Sequence, residues 1–372
     1  MNWFKQQLAN VAGTQEPEYG PSAIQSVTSQ SQQFSDVTKD DLKWINMDST
    51  NVETATFYFM TDEGFTAMAQ IIYSNVAGIH TTAQFNSKIF NHDGPGKHLW
   101  CSDPLHNFGF DDAQTGFFAD NVAVEMNADI DTITIKSASN EGNLVNLTLK
   151  RKAPAFQAGK DGTSYFGTDP ANPWGSMFHR FWPRCTVTGK MQTEKKTYDM
   201  KGKGLFIKAL QGMKPHHAAA KWNFIWFESP TYTSVLMEYT TPGSYGHTSV
   251  SLGGIAKDGD IIYAGPTTVK HTKSAPDVDC NWPEPKAIEL EWKGPGASGK
   301  SVEASLQGDL PERTDRVDVL SHIPGFVKSI VGGVVGTRPY IYQYISKDDL
   351  TVKVDDSTEK GQLFMEATFI SE

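Results

Sequence analysis

Short segments in which apolar and polar residues alternate run through this chain from residue 51 to its C-terminal end, and they restrict its fold more than any other feature. Because residues two apart lie on one face of an extended strand, this alternation predicts strands. Gly, Asp and Asn between the segments predict turns. The predicted strands include residues 57–59, 67–73, 122–126, 133–135, 145–149, 225–227, 235–239, 288–292, 341–345, 352–354 and 363–369. We see no βαβ rhythm, so the sequence predicts an all-β fold.

The length of 372 residues and a faint internal repeat both indicate two domains. At one constant offset, without a gap, similar residues of the two halves align. The aligned pairs are Phe59 with Phe227, Thr61 with Ser229, Thr66 with Ser234, Met68 with Leu236, Gly78 with Gly246 and Thr81 with Ser249. The repeat predicts that each half is the same antiparallel unit, with an N-terminal domain at 37–219 and a C-terminal domain at 220–372.

Residues 1–36 differ from the rest of the chain in composition. Trp3, Phe4, Leu8 and Val11 fall on one side of a helix between residues 2 and 12, and a glycine at position 13 supplies a stop. This pattern predicts a short amphipathic helix. The following residues, 14–36, are rich in Ser, Gln, Glu and Pro and contain few apolar residues, so we expect a flexible tether there.

A second helix is expected near the C-terminal end, between Pro324 and Gly336. Apolar residues recur at helical spacing in this segment. They are Val327, Ile330, Val331, Val334 and Val335. The segment therefore interrupts the predicted strands of the second half.

Charge, cysteine content and hydropathy exclude several classes of protein. A formal net charge of -10 argues against nucleic-acid binding, which is driven by clustered Lys and Arg. Three cysteines far apart supply neither a disulfide framework nor a Cys-x-x-Cys site, and they favour a reducing compartment. The N-terminus lacks the apolar run of a secretory signal, and no stretch approaches about 18 uninterrupted apolar residues. We therefore expect a soluble, cytoplasmic protein.

The adjacent residues His216 and His217 are the strongest candidates for metal or acid-base chemistry. Neighbouring side chains on an extended chain rarely point the same way, and no His-Glu-x-x-His or Cys-x-x-Cys pattern supplies further metal ligands. Gly-x-Ser-x-Gly and phosphate-binding glycine motifs are absent from the sequence as well. We predict no metal, no cofactor and no catalytic residue, while an unlocated carboxylate acid-base pair is left open. His216 and His217 are instead predicted to bind a ligand near the seam between the two domains.

Two aromatic clusters, at residues 178–183 and 222–227, concentrate bulky apolar surface with a few polar groups. One interpretation is ordinary barrel core and inter-domain packing. The other is the lining of an apolar cavity that holds a ligand. Both interpretations use the same residues, and we predict Phe181, Trp182 and Trp222 as ligand-binding residues.

Several runs of the sequence closely resemble the fungal survival-factor family. They are Glu16-Pro17-Glu18-Tyr19-Gly20, Asn51-Val52-Glu53-Thr54, Phe181-Trp182-Pro183-Arg184, Leu210-Gln211-Gly212-Met213-Lys214-Pro215-His216-His217-Ala218-Ala219, Val235-Leu236-Met237-Glu238-Tyr239-Thr240-Thr241-Pro242, Gly253-Gly254-Ile255 and Gly336-Thr337-Arg338-Pro339-Tyr340-Ile341-Tyr342-Gln343. The resemblance covers almost the whole chain. It implies two tandem lipocalin-like (calycin) antiparallel β-barrels.

The resemblance also implies a non-enzymatic carrier of a hydrophobic lipid such as ceramide, which it transfers from the endoplasmic reticulum to the Golgi, and a role in survival under oxidative stress. It further implies docking on membranes through an N-terminal amphipathic helix with an acetylated start, and we predict Trp3, Phe4, Leu8 and Val11 as membrane-binding residues. We expect a cytoplasmic protein that is peripheral on Golgi and endoplasmic reticulum membranes, with a nuclear pool left open. Related two-domain proteins are pericyclases or hydratases, so an enzyme acting on a hydrophobic small molecule is the alternative.

Overall fold

Strands make up most of the protein. The computed structural model describes residues 17–76, 78–322 and 339–371. The strands are β1 Ile24–Gln25, β2 Phe34–Asp36, β3 Asn51–Thr61, β4 Thr66–Val76, β5 His80–Ile89, β6 Leu99–Leu105, β7 Gly109–Phe110, β8 Phe117–Ala119, β9 Val122–Met126, β10 Thr132–Ser137, β11 Leu144–Arg151, β12 Phe156–Ala158, β13 Thr163–Phe166, β14 Gly175–Gln192, β15 Thr197–Asp199, β16 Gly202–Gln211, β17 Lys221–Glu228, β18 Tyr232–Thr240, β19 Ser249–Lys257, β20 Asp260–Pro276, β21 Pro283–Pro295, β22 Ser301–Asp309, β23 Asp315–Asp318, β24 Tyr340–Val354 and β25 Ser357–Phe369. The helices are α1 Pro215–Ala218 and α2 Val319–His322, with 3₁₀ turns at Pro21–Ala23, Val27–Ser29, Asp40–Leu42 and Gly243–Tyr245.

The first sheet contains β1 to β16, and its main path runs in the order β6-β5-β4-β3-β16-β14-β11-β10-β9-β8-β7. Neighbouring strands along the path are antiparallel. The long strand β14 also pairs with the short strands β12, β13 and β15. Because its path ends at β6 and β7, the first sheet is a half-barrel.

The second sheet closes on itself. Its order is β22-β21-β20-β19-β18-β17-β25-β24-β23, and an additional pairing joins β22 to β24. In that pairing Ala304 lies opposite Val354 and Leu306 lies opposite Val352. The result is a closed eight-stranded barrel, with β23 added on the outside of β24. The predicted all-β, lipocalin-like fold is confirmed. The first sheet is an open half-barrel, whereas the second sheet is a closed barrel. The predicted division into domains at 37–219 and 220–372 stays a prediction.

Buried apolar side chains form three clusters. One fills the concave side of the first sheet, one fills the barrel, and one lies between the two sheets. Strand β17 contributes to two of them because alternate residues point to opposite faces. Ile225 and Phe227 point into the barrel, whereas Phe224 and Trp226 point to the first sheet. We call the layer between the two sheets the seam.

The prediction of a flexible tether at residues 14–36 is wrong over the described residues 17–36. Strand β1 pairs with β13, and β2 pairs with β12. Ala23, Ile24 and Val27 are buried in the seam cluster. A few apolar residues are enough here because the backbone hydrogen bonds are satisfied by neighbouring strands.

The two predicted helices lie outside the described residues. This holds for the N-terminal helix with Trp3, Phe4, Leu8 and Val11, and for the C-terminal segment between residues 324 and 336. The short helix α2 ends just before that second segment. Within the described residues, none of the helices has the length and apolar character needed to cross a membrane.

Candidate functional site

Aromatic rings form the centre of the seam. Tyr58 on β3 stacks on Phe224 of β17, with ring centroids 4.8 Å apart, and lies 5.1 Å from the ring of Phe364 on β25. Phe90, which directly follows β5, packs its edge on Phe364 at 5.4 Å. Such ring pairs stabilise beyond the area that they bury. The two sheets therefore meet through a continuous aromatic contact.

A series of partly buried hydrogen bonds runs beside these rings. The Tyr58 hydroxyl donates to Glu366 Oε2 at 3.1 Å, and Gln343 Nε2 donates to Glu366 Oε1 at 2.6 Å. Lys88 Nζ donates to Gln343 Oε1 at 2.6 Å and forms an ion pair with Asp315 at 2.5 Å. Both sheets contribute groups to this series of hydrogen bonds, so it fixes the position of one sheet relative to the other.

Burial shifts the pKa of two of these hydrogen-bonded groups. It raises the pKa of Glu366, although hydrogen bonds from Gln343 and Tyr58 partly offset the effect. Burial also lowers the pKa of Lys88, and the neighbouring Asp315 partly offsets that. A further unpaired charge would be costly at such a place. The seam therefore favours uncharged polar groups in any molecule that enters it.

A row of side-chain amides extends the polar surface across the first sheet, on the face that carries Tyr58. Gln84 Nε2 donates to Asn86 Oδ1 at 2.8 Å, and Asn86 Nδ2 donates to Gln70 Oε1 at 3.1 Å. Gln70 Nε2 in turn donates to Thr56 Oγ1 at 2.8 Å. We call these four side chains the amide ladder. It presents uncharged donors and acceptors, and both glutamines are only partly buried.

Partly buried apolar side chains border the aromatic centre. Phe224 lies between Met237 on β18 and Glu366 on β25 in the cross-strand register. Trp222 and Met237 pack against the seam cluster and remain partly exposed, as does Ala209 on β16. We use the name interdomain groove for these side chains together with Glu366 and the amide ladder, and we infer that they border one cleft between the two sheets. It combines an apolar wall with an uncharged polar strip.

The structure separates two of the predicted ligand-binding residues. Phe181 lies in the seam, where it stacks on Phe156 at 5.1 Å. Trp182 points to the concave side of the first sheet and packs its edge on Phe206 at 5.3 Å. Consecutive residues of β14 face opposite ways, which explains the separation. A shared ligand role for these two residues stays a prediction.

Trp222 and Phe181 both lie in the seam beside His179, a residue that the sequence analysis did not single out. The ring of His179 lies 5.7 Å from Trp222, 6.4 Å from Phe181 and 6.4 Å from Tyr239. Burial lowers its pKa to about 4. The sequence did contain one signal for His179. It lies two residues before Phe181, so the alternation of β14 places both side chains on the same face.

His216 and His217 lie in α1, which connects the two sheets. Their ring centroids are 4.2 Å apart, and both ring nitrogens of His216 are buried without a hydrogen-bond partner among the described residues. Burial lowers the pKa of His216 to about 4, with smaller effects from His217 and Lys214. Over the described ranges, no three His, Cys, Asp or Glu side chains are grouped to hold a metal ion. Ligand binding by this pair stays a prediction.

A small polar cavity of about 260 Å³ lies at another part of the seam. It is lined by Met60, Thr61, Asp62, Gly64, Lys203, Glu228, Ser229, Pro230, Lys360, Gly361 and Gln362. Burial raises the pKa of Glu228, and Lys203 at 3.3 Å partly offsets this. The charged lining makes this cavity a poor place for an alkyl chain.

Acid should weaken the seam through His179. Its pKa is about 4 in the folded protein and about 6.5 in an unfolded chain, so the unfolded chain binds more protons between these values. Stability therefore falls as the pH falls, by about 2 kcal/mol from this residue at pH 5. We expect His179→Phe to lose that part of the acid sensitivity, measured by urea unfolding at about pH 7 and pH 5. Equal acid sensitivity in both proteins would contradict the assignment.

Comparison with known proteins identifies the family. The family model described as Svf1 family matches residues 1–371. This chain belongs to the Svf1 family. Svf1 relatives match it over their full length: a ceramide-binding protein svf1 of Aspergillus fumigatus is 57% identical over 396 residues, covering 100% of both chains. The ceramide-binding protein svf-1 of Neurospora crassa is 55% identical and covers 99% of both chains.

Solved structures with the same fold are distant from this Svf1 family member in sequence. CghA with Sch210972 has a TM-score of 0.58 and 14% identity, covering 87% of this chain and 89% of CghA. Kievitone hydratase from Nectria haematococca has a TM-score of 0.56 and 11% identity, covering 96% of this chain and 99% of the hydratase. At such identities the likeness shows the fold alone.

Proposed function

We propose that this chain is a ceramide-binding carrier and not an enzyme. Relatives at 57%, 54% and 55% identity, each matched over at least 99% of both chains, bear the name ceramide-binding protein. The residues that carry the proposal within this chain are those of the interdomain groove.

The chemistry of the groove fits that ligand class. A ceramide has two alkyl chains and an uncharged head group with an amide and hydroxyls. Keeping one chain of about sixteen methylenes in water costs on the order of 12 kcal/mol, at about 0.8 kcal/mol each. The apolar wall of Trp222, Met237 and Phe224 would cover a chain, and the amide ladder offers neutral partners to the head group.

Transfer between membranes is a further part of the proposal. Burial of Trp3, Phe4, Leu8 and Val11 in a membrane surface would contribute about 6 to 12 kcal/mol, against about 1 to 2 kcal/mol for ordering each residue of the helix. These contributions nearly cancel, so membrane contact would be weak and reversible. We also propose that the protein works in the cytoplasm and on Golgi and endoplasmic reticulum membranes, and that its transfer activity supports survival under oxidative stress.

The amide ladder gives the sharpest test of ceramide binding. Replacing Gln70 and Gln84 with Leu should weaken binding about tenfold, because each lost hydrogen bond is worth about 0.5–1.5 kcal/mol. Binding is measured by native mass spectrometry and by competition with a fluorescent ceramide. Gln307→Leu, the same substitution at an exposed position of β22, should bind as the unaltered protein does.

Two further outcomes separate the parts of the proposal. The combined variant Trp3→Ser, Phe4→Ser and Leu8→Ser should bind ceramide normally but fail to move it between donor and acceptor vesicles. The recovered lipid should be chemically unchanged, whereas turnover would favour the hydratase or pericyclase alternative. Absence of any bound ceramide in the unaltered protein would end the proposal.

A further inference from the structure

Polar side chains point inward at one end of the eight-stranded barrel, where β17 begins and β25 ends. On β17, Asn223 lies on the same inward face as Ile225 and Phe227. On β18, Glu238 lies on the same inward face as Leu236. His271 lies two residues beyond Val269, which packs on the barrel core. Further along β17 and β18 the inward side chains of Ile225, Phe227 and Leu236 are apolar and buried, so this end of the barrel is more polar than that part of the interior.

These side chains form one hydrogen-bonded group. Asn223 Nδ2 donates to Glu238 Oε1 at 3.1 Å, and His271 Nε2 lies 2.8 Å from Asn223 Oδ1. Beside them, the hydroxyls of Ser251 and Thr267 lie 2.8 Å apart. Asn223, Glu238, Ser251 and His271 are only partly buried, so solvent-sized molecules reach them. We call Asn223, Glu238, Ser251, Thr267 and His271 the barrel mouth.

Aromatic rings stand over the barrel mouth. Trp282 stacks on Phe369 with ring centroids 5.5 Å apart, and Phe369 lies 6.5 Å from the ring of His271. The loop 277–282 that carries Trp282 is held by the buried Asp277, which accepts hydrogen bonds from Tyr342 at 3.1 Å and from Arg316 at 2.8 Å. The mouth therefore pairs an apolar wall with a polar floor.

The hydrogen-bond pattern fixes what the mouth can accept. Because the Asn223 amide nitrogen donates to Glu238, its oxygen is the acceptor and His271 Nε2 must be the donor. Burial lowers the pKa of His271 to about 4, with a smaller effect from Lys221, so the ring is neutral near pH 7. A neutral ring that donates through Nε2 carries a lone pair on Nδ1. Within the described ranges no protein group bonds to His271 Nδ1.

Burial also raises the pKa of Glu238, partly offset by hydrogen bonds from Asn223 and Ser251. The charged form of Glu238 is thus disfavoured, as is that of His271. An ionised ligand group would have to give up hydration in this partly buried place, and the five residues of the mouth include no lysine or arginine to pair with an anion. An uncharged hydroxyl meets no such cost.

We propose that the barrel mouth is a second binding site, separate from the interdomain groove, for the hydroxyl end of an uncharged amphipathic molecule. The hydroxyl donates to His271 Nδ1, and the adjoining apolar part lies against Trp282 and Phe369. The site does not depend on ceramide binding in the groove, because none of its five residues lines that groove.

The test uses the full chain with ¹⁵N-labelled histidine and two probes, 1-octanol and methyl octyl ether, which lacks the hydroxyl hydrogen. We expect 1-octanol to shift the Nδ1 resonance of His271 saturably and the ether to cause at least a tenfold smaller shift. His271→Phe identifies the resonance by its loss. Equal shifts with both probes, or no shift up to the solubility limit of 1-octanol, overturn the proposal.

A groove variant shows whether the two sites are separate. In the chain with Gln70→Leu and Gln84→Leu, the shift of His271 by 1-octanol should be unchanged within twofold. Loss of that shift would mean that the alcohol acts through the groove, which overturns a separate site. Ceramide binding is read by mass spectrometry, so failure of the ceramide proposal would be seen apart from this result.

Discussion

Replacing Lys208 with Met should lower the free energy of unfolding by about 3–5 kcal/mol. The side chains of Lys208 and Glu53 are 1% and 0% exposed, and Lys208 Nζ lies 2.8 Å from Glu53 Oε1. The ammonium also lies 3.0 Å from the centroid of the Trp44 ring. Without the lysine, Glu53 keeps its bonds from the amides of Ile45 and Asn46 but loses its counter-charge. Urea unfolding measures the change.

An exposed ion pair of nearly the same length provides the matched control. Lys273 Nζ lies 2.7 Å from Asp309, and the two side chains are 66% and 73% exposed. We expect Lys273→Met to change stability by less than about 1 kcal/mol, since solvent screens such pairs. Adding Glu53→Gln to Lys208→Met should restore part of the loss, because no unpaired charge remains buried. Equal losses from the two lysine variants would contradict this account.

The strands could be predicted from alternation, but the role of each face could not. In β17 both faces are apolar, so the sequence of residues 222–227 does not tell which side chains line a barrel. The assignment depends on a second sheet that covers the outer face. Phe224 and Trp226 meet that sheet, whereas Ile225 and Phe227 meet the barrel core. The aromatic cluster thus indicated that both faces of β17 are buried, but it did not indicate which part of the protein covers each face.

The polar part of the groove was harder to predict for a related reason. Gln70 and Asn86 alternate with apolar residues and therefore look like the solvent-facing side of a strand. The same is true of Lys88, Gln343 and Glu366, which come from distant parts of the chain. Only the packing of two sheets turns these faces inward. A single sequence carries no direct signal of that packing.

The segment before the first long strand shows the opposite error. Its polar composition predicted a tether, yet Tyr19 packs on Trp174 at 4.8 Å and on Tyr245 at 5.4 Å. Gln33 Nε2 also donates to the carbonyl of Ala264 at 2.7 Å, which ties the segment to the barrel. The composition of a segment indicates how much apolar surface it can bury by itself. Here the two sheets supply the packing and hydrogen-bond partners that the segment lacks.

The second large effect is expected at the centre of the seam, where Phe364→Ala should lower the free energy of unfolding by about 3–5 kcal/mol. Phe364 is 0% exposed and touches the rings of Tyr58, Phe90 and Phe224, so the cavity opens between the two sheets. Hydrogen exchange should accelerate in β3 and in β17 alike. Leu290→Ala, inside the barrel, should accelerate exchange mainly in barrel strands. If Phe364→Ala left exchange in β3 unchanged, the seam would contribute nothing to the stability of the first sheet.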